Sequence, residues 1–517
     1  MGGNRQLRIA GMPVAAMAFL LLTALASSLI SQYKLTGGDD LLELWCDRIP
    51  TFDQFLHIQR TAPLVIDPFL YHGIMFTVIR LFGLRPHILE IPSLAGFLAM
   101  QVCLFYFVRR IASENAAVFA IGIPAISAAF GYSTQIRPYG VLLGLFGLAM
   151  LSWQTAARRL TRRTGPLVIL ALSIAAAINT QYYGVLLMLP LCAAEGFRTL
   201  QRRRLDVPLL LSMCAGMAGI ALLLPFLRGA VEFRNHYKPG DVPYQAITQT
   251  YNFMLLGRAT FTVALNHLLA GGLAILIVPV LWSCVRQLRK QTLPLPGAEF
   301  AFLITLAALP LFGFLLGRFV THAYEPRYVL GATLGIAALL SVALDPLFQL
   351  ANGLAGRVAV VFLLVLFSGL GFLDMCAEQR NSQYVRSYLV LSPEIKQAIM
   401  AAPGRALYTQ DIDLLGLVAF HEIDPDLLSH LVLVYSEHEE MRWNQSETSS
   451  RMAMNLKSFS PYTIVPFESI VGQPGAHLFV VTHGGWNWLD KALAREHMEV
   501  KPIGQALGGE VVSARVP

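Results

Sequence analysis

Carboxylates and arginines stand at the ends of long apolar runs in this chain. Asp39-Asp40 follows the first run, Arg137 lies between two later runs, and Arg327 opens another. A carboxylate can take the proton of a hydroxyl group, and a guanidinium group can bind two phosphate oxygens at once. Ionisable groups near hydrocarbon are functional candidates because burying them is costly. These residues are therefore candidates for a functional site at the ends of the apolar runs.

Other polar side chains and tyrosines lie at the same ends of the apolar runs and could line this site. They are Asp67, Tyr71, Gln135, Tyr139, Gln181, Tyr182, Glu325 and Tyr328. Structural roles stay open for several candidates. The Asp39-Asp40 pair could cap the helix that follows it. Arginines can anchor a helix at the membrane interface, and tyrosines at outer turns commonly form an aromatic belt.

The composition indicates a protein that crosses a membrane many times. Of its 517 residues 55% are hydrophobic and 14% are charged, and the mean hydropathy is +0.56, whereas soluble proteins carry roughly 25% charged residues. The net charge of +7 does not indicate nucleic-acid binding, because the arginines form short clusters between apolar runs, as in cytoplasmic loops. The clearest runs long enough to span a bilayer are 9–31, 88–108, 138–157, 208–228, 262–285, 298–318, 327–348 and 357–374.

The basic clusters orient these spans, since positive residues mark the cytoplasmic side. They lie at 109–110, 158–163, 198–204 and 286–290, with a weaker one at Arg357. All of them fall on one side only if segment 64–83 does not cross. That segment contains Asp67, His72 and Arg80, which are costly in hydrocarbon, so we expect a helix along the outer interface. Residues 115–132 and two short crossings within 166–198 complete about eleven spans.

The pattern changes from about residue 383 onward. Short apolar segments at 431–435 and 477–481, and a weaker one at 406–409, are typical of strands, and 486–497 is helical in pattern. The sequence therefore predicts an all-α polytopic membrane bundle with outer interfacial helices, followed by a small C-terminal α/β extracytoplasmic domain. The predicted domains are 1–378, whose first outer loop 32–87 carries the acidic pair, and 379–517.

Six short elements in the first 330 residues carry a resemblance to a known group of proteins. They are Asp39-Asp40, Asp67-Pro68-Phe69-Leu70-Tyr71, Ile91-Pro92-Ser93-Leu94-Ala95-Gly96, Ser133-Thr134-Gln135-Ile136-Arg137-Pro138-Tyr139, Thr180-Gln181-Tyr182-Tyr183-Gly184 and Pro326-Arg327-Tyr328. In order and spacing they resemble the C-type glycosyltransferase superfamily, in the branch of protein O-mannosyltransferases and lipid A aminoarabinose transferases. This chain departs from the pattern at Asp40, where relatives have Glu, at Gln181, where they often have His, and at Glu90, where they usually have Arg.

The resemblance implies an inverting glycosyltransferase that moves a sugar from a polyprenyl-phosphate carrier to a hydroxyl group of a lipid, glycan or protein. It implies that Asp39, with Asp40 beside it, is the catalytic base, and that Arg137 and Arg327 bind the donor phosphate. The protein would be a multi-pass component of the plasma (inner) membrane, in contact with membrane lipids, with its active site outside the cytoplasm. A divalent cation is the one cofactor that the resemblance allows, and no metal ligands are assigned.

Two other classes of function stay open from the sequence. A secondary transporter or lipid flippase would usually show internal repeats and polar residues near the middle of the bilayer, whereas here the polar residues lie at outer turns. A non-catalytic scaffold or sensor would leave the acidic pair and the arginines without a role. A ligase or polymerase of lipid-linked glycans differs only in the identity of the donor.

Overall fold

The computed structural model describes residues 8–9, 12–61, 63–159, 161–236, 242–256, 297–349, 354–388, 391–401, 407–421, 425–471, 477–482, 488–506 and 509–515. The predicted span 262–285 and the basic cluster 286–290 lie outside these residues. The chain divides into two compact units. The first comprises 1–32, 67–224 and 240–377, and the second comprises 33–66, 225–239 and 378–517.

In its described residues, the first unit is helical apart from a short pairing of Arg8–Ile9 with Met12–Pro13. Its α-helices are Val14–Tyr33, Phe69–Phe82, Pro86–Leu89, Ile91–Arg109, Glu114–Ile126, Tyr139–Arg158, Thr164–Thr180, Met188–Arg202, Val207–Met217, Gln245–Leu256, Gly297–Ala307, Leu309–Leu316, Ala332–Gln349 and Leu354–Tyr388, the last of which extends past the unit. Turns of 3₁₀-helix cover Ala128–Thr134, Tyr182–Leu187, Ala218–Phe226 and Pro326–Val329, and a π-helical turn covers Gly317–Thr321.

Within the described ranges, seven helices are long and apolar enough to cross a membrane. They are Val14–Tyr33, His87–Arg109, Tyr139–Arg158, Tyr182–Arg202, Val207–Glu232, Ala332–Gln349 and Leu354–Tyr384. They confirm the helices predicted at 9–31, 88–108, 138–157, 208–228, 327–348 and 357–374 and indicate an integral membrane protein. The total of about eleven spans stays a prediction.

Two further predicted spans, 115–132 and 298–318, are each a pair of helices with a sharp bend. Glu114–Ile126 and Ala128–Thr134 meet at 70°, and Gly297–Ala307 and Leu309–Thr321 meet at 49°. At the second break a proline is the cause, because a proline removes a backbone donor and clashes with the preceding turn. At the first break Ser127 takes extended backbone and its hydroxyl caps the next helix by accepting the N–H of Ala129 at 3.3 Å. Pro124 lies in the last turn before the first break, and Pro310 follows the second.

The segment predicted to lie along the interface, 64–83, contains the helix Phe69–Phe82 of 14 residues. At 1.5 Å per residue this helix is about 21 Å long, which is shorter than the hydrocarbon core of about 30 Å. Its last turn exposes Leu81 and Phe82. A helix too short to span with exposed apolar residues agrees with the predicted interfacial position, and its side of the membrane stays a prediction.

Helices Ile91–Arg109 and Tyr139–Arg158 pack along a seam of glycines. A Cβ atom on Gly96 would lie 2.3 Å from the carbonyl oxygen of Gly140, and one on Gly140 would lie 2.3 Å from the carbonyl oxygen of Ser93. Only glycine fits at such distances, and small residues let helix backbones approach closely in membranes. The seam fixes the start of helix Tyr139–Arg158 against Ser93.

The other end of helix Tyr139–Arg158 carries ion pairs. Arg158 pairs with the buried Glu299 at 2.7 Å. Nearby, Arg198 pairs with Glu195 at 2.6 Å and with Asp206 at 3.1 Å, and Arg163 pairs with Asp206 at 2.7 Å. These arginines belong to the basic clusters from which the sequence predicted cytoplasmic loops.

The second unit contains a six-stranded mixed sheet. In spatial order its strands are Thr463–Pro466, Leu431–Tyr435, Leu407–Thr409, His477–Thr482, Gly509–Arg515 and Glu499–Ala506. The first four are parallel and the last two join antiparallel. The strands predicted at 431–435, 477–481 and 406–409 are confirmed, and the predicted helix appears as Leu489–Arg495.

The second unit also contains α-helices in its described residues. They are Asp39–Asp47, Phe52–Thr61, Leu227–His236, Pro393–Ala401, Ile412–His421, Pro425–His430, Glu437–Asn444, Thr448–Lys457, Glu468–Val471 and Leu489–Arg495. Residues 33–66, which the sequence assigned to the first domain, pack on this unit. Buried Trp45 contacts the rings of Phe420 at 4.7 Å and Tyr462 at 5.4 Å, and Asn455 donates a hydrogen bond to the Pro63 carbonyl at 3.0 Å. The extracytoplasmic location and the 378/379 boundary stay predictions.

Candidate active site

Arg137 stands in the first unit, between the 3₁₀ turn Ala128–Thr134 and helix Tyr139–Arg158. Pro138 precedes the first residue of this helix, and a proline preset to a helical φ suits a helix start. The Ser93 hydroxyl donates a hydrogen bond of 2.8 Å to the carbonyl oxygen of Arg137. Arg137 is 7% exposed, so its main chain is fixed from the glycine seam and its guanidinium is nearly enclosed.

Asp67 meets both Arg137 and Gln181. Nη2 of Arg137 lies 3.9 Å from Oδ2 of Asp67, and both side chains are about nine-tenths buried. Nε2 of Gln181 donates to Oδ1 of Asp67 at 3.3 Å. Burying a charge is costly unless it is paired and hydrogen-bonded, and Asp67 meets both conditions. Three residues predicted from separate elements of the sequence are therefore brought together.

Aromatic rings surround the two predicted phosphate ligands. Cζ of Arg137 lies 5.6 Å from the ring centre of the buried Tyr139, and Cζ of Arg327 lies 5.9 Å from that of Tyr328. The charges of Asp67, Arg137 and Arg327 all act on the Tyr139 hydroxyl. Both arginines thus lie within electrostatic range of Tyr139, and arginine over an aromatic ring is a favourable arrangement.

Tyr183 supports this group and was not among the predicted site residues. Its ring packs on Tyr328 at 4.7 Å, its hydroxyl donates to the Ala323 carbonyl at 2.6 Å, and its N–H donates to Oε1 of Gln181 at 3.0 Å. The second tyrosine of the Thr180–Gly184 element was the available signal in the sequence.

The remaining predicted lining residues of this unit differ in exposure. Tyr71 is buried one turn after Asp67, Tyr182 is half-buried and interacts electrostatically with Asp67, and Gln135 is half-buried in extended backbone. Glu325 is exposed, and its carbonyl accepts the N–H of Tyr328 at 3.0 Å. Gln135 and Glu325 therefore stay predictions as substrate contacts.

The acidic pair opens a helix in the second unit. Gly38 precedes helix Asp39–Asp47 with φ of +55°, a left-handed value that favours glycine. Gly38 holds the N-cap position, so the two aspartates occupy the first turn instead of capping it. Asp39 is half-buried, and the buried Asp40 pairs with Nζ of Lys34 at 3.1 Å. The helix N-terminus favours their negative charge.

Helix Ile412–His421 lies parallel to helix Asp39–Asp47. Leu41 faces Gly416, and Trp45 faces Phe420. The spacing from Leu41 to Trp45 equals the spacing from Gly416 to Phe420. The two helices therefore run in the same direction, and their N-termini lie at the same end of the pair. At this end the carboxyl group of Asp413, in the first turn of helix Ile412–His421, interacts electrostatically with that of Asp39.

Asp413 is a half-buried acid that the sequence did not predict. Asp411 caps its own helix, since its Oδ1 accepts the N–H groups of Asp413 at 2.8 Å and Leu414 at 3.3 Å. Burial, and then the negative charges of Asp411 and Asp39, raise the pKa of Asp413 to about 7. The sequence Asp-Ile-Asp after a predicted strand was the only feature that could have indicated Asp413 from the sequence.

Asp413→Asn is expected to stabilise the protein at neutral and higher pH. Below about pH 4 the carboxyl group of Asp413 is protonated in both the folded protein and the unfolded chain. Between about pH 4 and 7 the unfolded chain releases this proton while the folded protein keeps it, so wild-type stability falls as pH rises. Asparagine never ionises, and above pH 7 the variant should be more stable by up to about 4 kcal/mol.

Thermal unfolding of the purified full chain from pH 4 to 8 measures this difference. The gap in melting temperature between variant and wild type should open with pH and level off above pH 7. Asp426→Asn is the matched control, because the Asp426 side chain is 78% exposed and should change little. A variant less stable than wild type at pH 8 would contradict the assignment.

No set of three or more His, Cys, Asp or Glu side chains in the described part of the chain is arranged to hold a metal ion. The Asp67 carboxylate already has Gln181 and Arg137 as partners. The divalent cation that the resemblance allows stays a prediction.

No family model matches the sequence, and no curated protein matches it. Among solved structures, the chain is similar to ArnT from Cupriavidus metallidurans bound to undecaprenyl phosphate, at 12% identity over 96% of this chain and 97% of that one, with a TM-score of 0.59. The apo state of the same protein matches at 14% identity over 96% and 98%, also with a TM-score of 0.59. The chain therefore has the ArnT fold, which bears out, at the level of fold, its resemblance to the C-type glycosyltransferases.

Proposed function

We propose that this chain is an inverting glycosyltransferase that moves a sugar from a polyprenyl-phosphate carrier to a hydroxyl acceptor on the non-cytoplasmic side of the membrane. The observation that carries the proposal is the enclosed Arg137, which lies 5.6 Å from the ring centre of Tyr139 and 3.9 Å from the carboxylate of Asp67. Guanidinium groups match phosphate oxygens. A protein of the same fold holds undecaprenyl phosphate in its structure.

The charge distribution along helix Tyr139–Arg158 supports a site on the non-cytoplasmic side of the membrane. Arg137 and the tyrosines lie at its start, and Arg158 with its ion pairs lies at its end, about 30 Å away. The basic clusters of this second end are typical of the cytoplasmic side. The start of the helix then faces outside, where nucleotide sugars are absent and a lipid-carried donor is needed.

The proposed reaction is a single displacement. The acceptor oxygen attacks the anomeric carbon while Asp39 takes its proton, and a new C–O bond forms. The bond from the anomeric carbon to the phosphate oxygen breaks, and polyprenyl phosphate leaves with the electron pair. The two arginines stabilise the charge that grows on the phosphate. Because phosphate is a weak base, the leaving group needs no general acid. The single displacement inverts the anomeric centre.

Mass spectrometry of lipids and surface glycans from cells with and without the gene tests the proposal. Loss of the gene should make one polyprenyl-phosphate sugar accumulate and one glycosylated product disappear. The purified chain should then release polyprenyl phosphate from that donor when acceptor is present. A chain that moves the lipid between leaflets without forming a glycosidic bond would be a flippase, and the proposal would be wrong.

A further inference from the structure

The pairing of Arg137 with a buried carboxylate has a consequence for how donor and product bind. We propose that Asp67 is a positioning residue: it holds the Arg137 guanidinium in the donor-free protein, yields this place to the donor phosphate, and then helps to expel the more highly charged product phosphate. The inference rests on the proposed function, because it takes Arg137 as a phosphate ligand.

The geometry of the pair allows such an exchange. The shortest separation of the two charged groups is 3.9 Å, whereas charge-assisted hydrogen bonds between guanidinium and carboxylate measure about 2.7–2.9 Å. Asp67 thus attracts Arg137 without making the close two-bond contact that a phosphate group can make. A phosphate that approaches Arg137 at hydrogen-bond distance has the better geometry.

Asp67 is also anchored independently of Arg137. Gln181 donates to its Oδ1 at 3.3 Å, and Gln181 is itself oriented by the N–H of Tyr183 at 3.0 Å. When a phosphate takes Arg137, Asp67 therefore keeps a hydrogen-bond donor. A carboxylate held in this way stays near the bound phosphate and repels it.

This repulsion distinguishes donor from product. The donor is a phosphodiester with one negative charge, and the product is a phosphomonoester with close to two near neutral pH. Since Coulomb repulsion scales with charge, a fixed Asp67 disfavours the product about twice as strongly as the donor. Asp67 should therefore weaken binding of the product more than binding of the donor, and so favour release of the product.

Binding of undecaprenyl phosphate to the purified full chain in nanodiscs tests this role. Asp67→Asn should bind this monoester about tenfold more tightly than wild type and should show stronger product inhibition of transfer, with a lower kcat. Asp67→Glu should bind it more weakly, because the longer side chain can close the 3.9 Å gap to Arg137. Loss of a merely structural contact would not tighten binding in one variant and weaken it in the other.

Glu299→Gln is the matched control, because it also removes a buried carboxylate from an arginine, at the far end of helix Tyr139–Arg158. It should leave the affinity for undecaprenyl phosphate unchanged even if it lowers the melting temperature. Unchanged or weaker binding by a folded Asp67→Asn protein would overturn the inference. Should that variant not fold, unchanged or tighter binding by Asp67→Glu would overturn it. If Arg137→Ala binds as tightly as wild type, the proposed phosphate site itself is wrong, and this result is separate from the behaviour of Asp67.

Discussion

Asp39→Asn is expected to lower the rate of sugar transfer by about 10²–10⁴-fold, the usual effect of losing a general base. Asparagine keeps the shape of the side chain and cannot accept the acceptor's proton. Because Gly38 and not Asp39 occupies the N-cap position, the substitution should leave the helix start intact. Donor binding should survive, so single-turnover kinetics should show a slow chemical step with a near-normal affinity for the donor.

Asp53→Asn is the matched control for this variant. Asp53 is also an aspartate in the first turn of a helix, Phe52–Thr61, and it is exposed. The control should retain wild-type turnover. A well-folded Asp39→Asn protein with full turnover would remove Asp39 from the mechanism. Asp40, which pairs with Lys34 at 3.1 Å, would be the next residue to replace.

Arg137→Ala should reduce kcat/KM for the lipid-linked donor by about 10- to 150-fold, which corresponds to about 1.5–3 kcal/mol for a hydrogen bond to a charged group. Arg327→Ala should have a smaller effect in the same direction, because Arg327 is half-buried whereas Arg137 is nearly enclosed. Arg137→Lys should fall between wild type and alanine, since lysine keeps the charge and loses the two-bond geometry.

Arg80→Ala is the control for the arginine series. Arg80 also lies over an aromatic ring, with Cζ 4.5 Å from the ring centre of Phe76, and it is exposed. An arginine that only anchors a helix should behave as Arg80 does. If Arg137→Ala and Arg80→Ala retain the same donor affinity in a folded protein, Arg137 is an anchor and not a phosphate ligand.

The helices of the first unit were predictable because their signal is local. A run of about 20 apolar residues has one stable arrangement in hydrocarbon, a helix with internal hydrogen bonds. The bends were less predictable, since Pro124 and Pro310 lie in apolar runs that read as continuous, and many membrane helices tolerate proline. The clustering of Asp67, Arg137 and Gln181 followed from placing each of them at an outer turn, and the contacts confirm that they meet.

The residues that sequence reasoning missed depend on packing between distant parts of the chain. Asp413 is separated from Asp39 by most of the sequence, and its raised pKa follows from burial and from neighbours that only the folded second unit provides. Gly416 gives no local hint that Leu41 packs against it. The assignment of 33–66 to the second unit was missed for the same reason, since hydropathy gives the end of a span but not the surface on which the next segment packs.

The glycine seam between helices Ile91–Arg109 and Tyr139–Arg158 has a consequence for the surrounding lipid. With backbones in direct contact at Gly96 and Gly140, the two helices cannot slide or rotate past one another without a clash. When bilayer thickness changes, membrane helices adjust their tilt, and this pair must tilt as one body. Ser93 and Arg137 then keep their hydrogen bond, so the main chain of the proposed phosphate ligand stays in place while its depth in the membrane follows the thickness of the host bilayer.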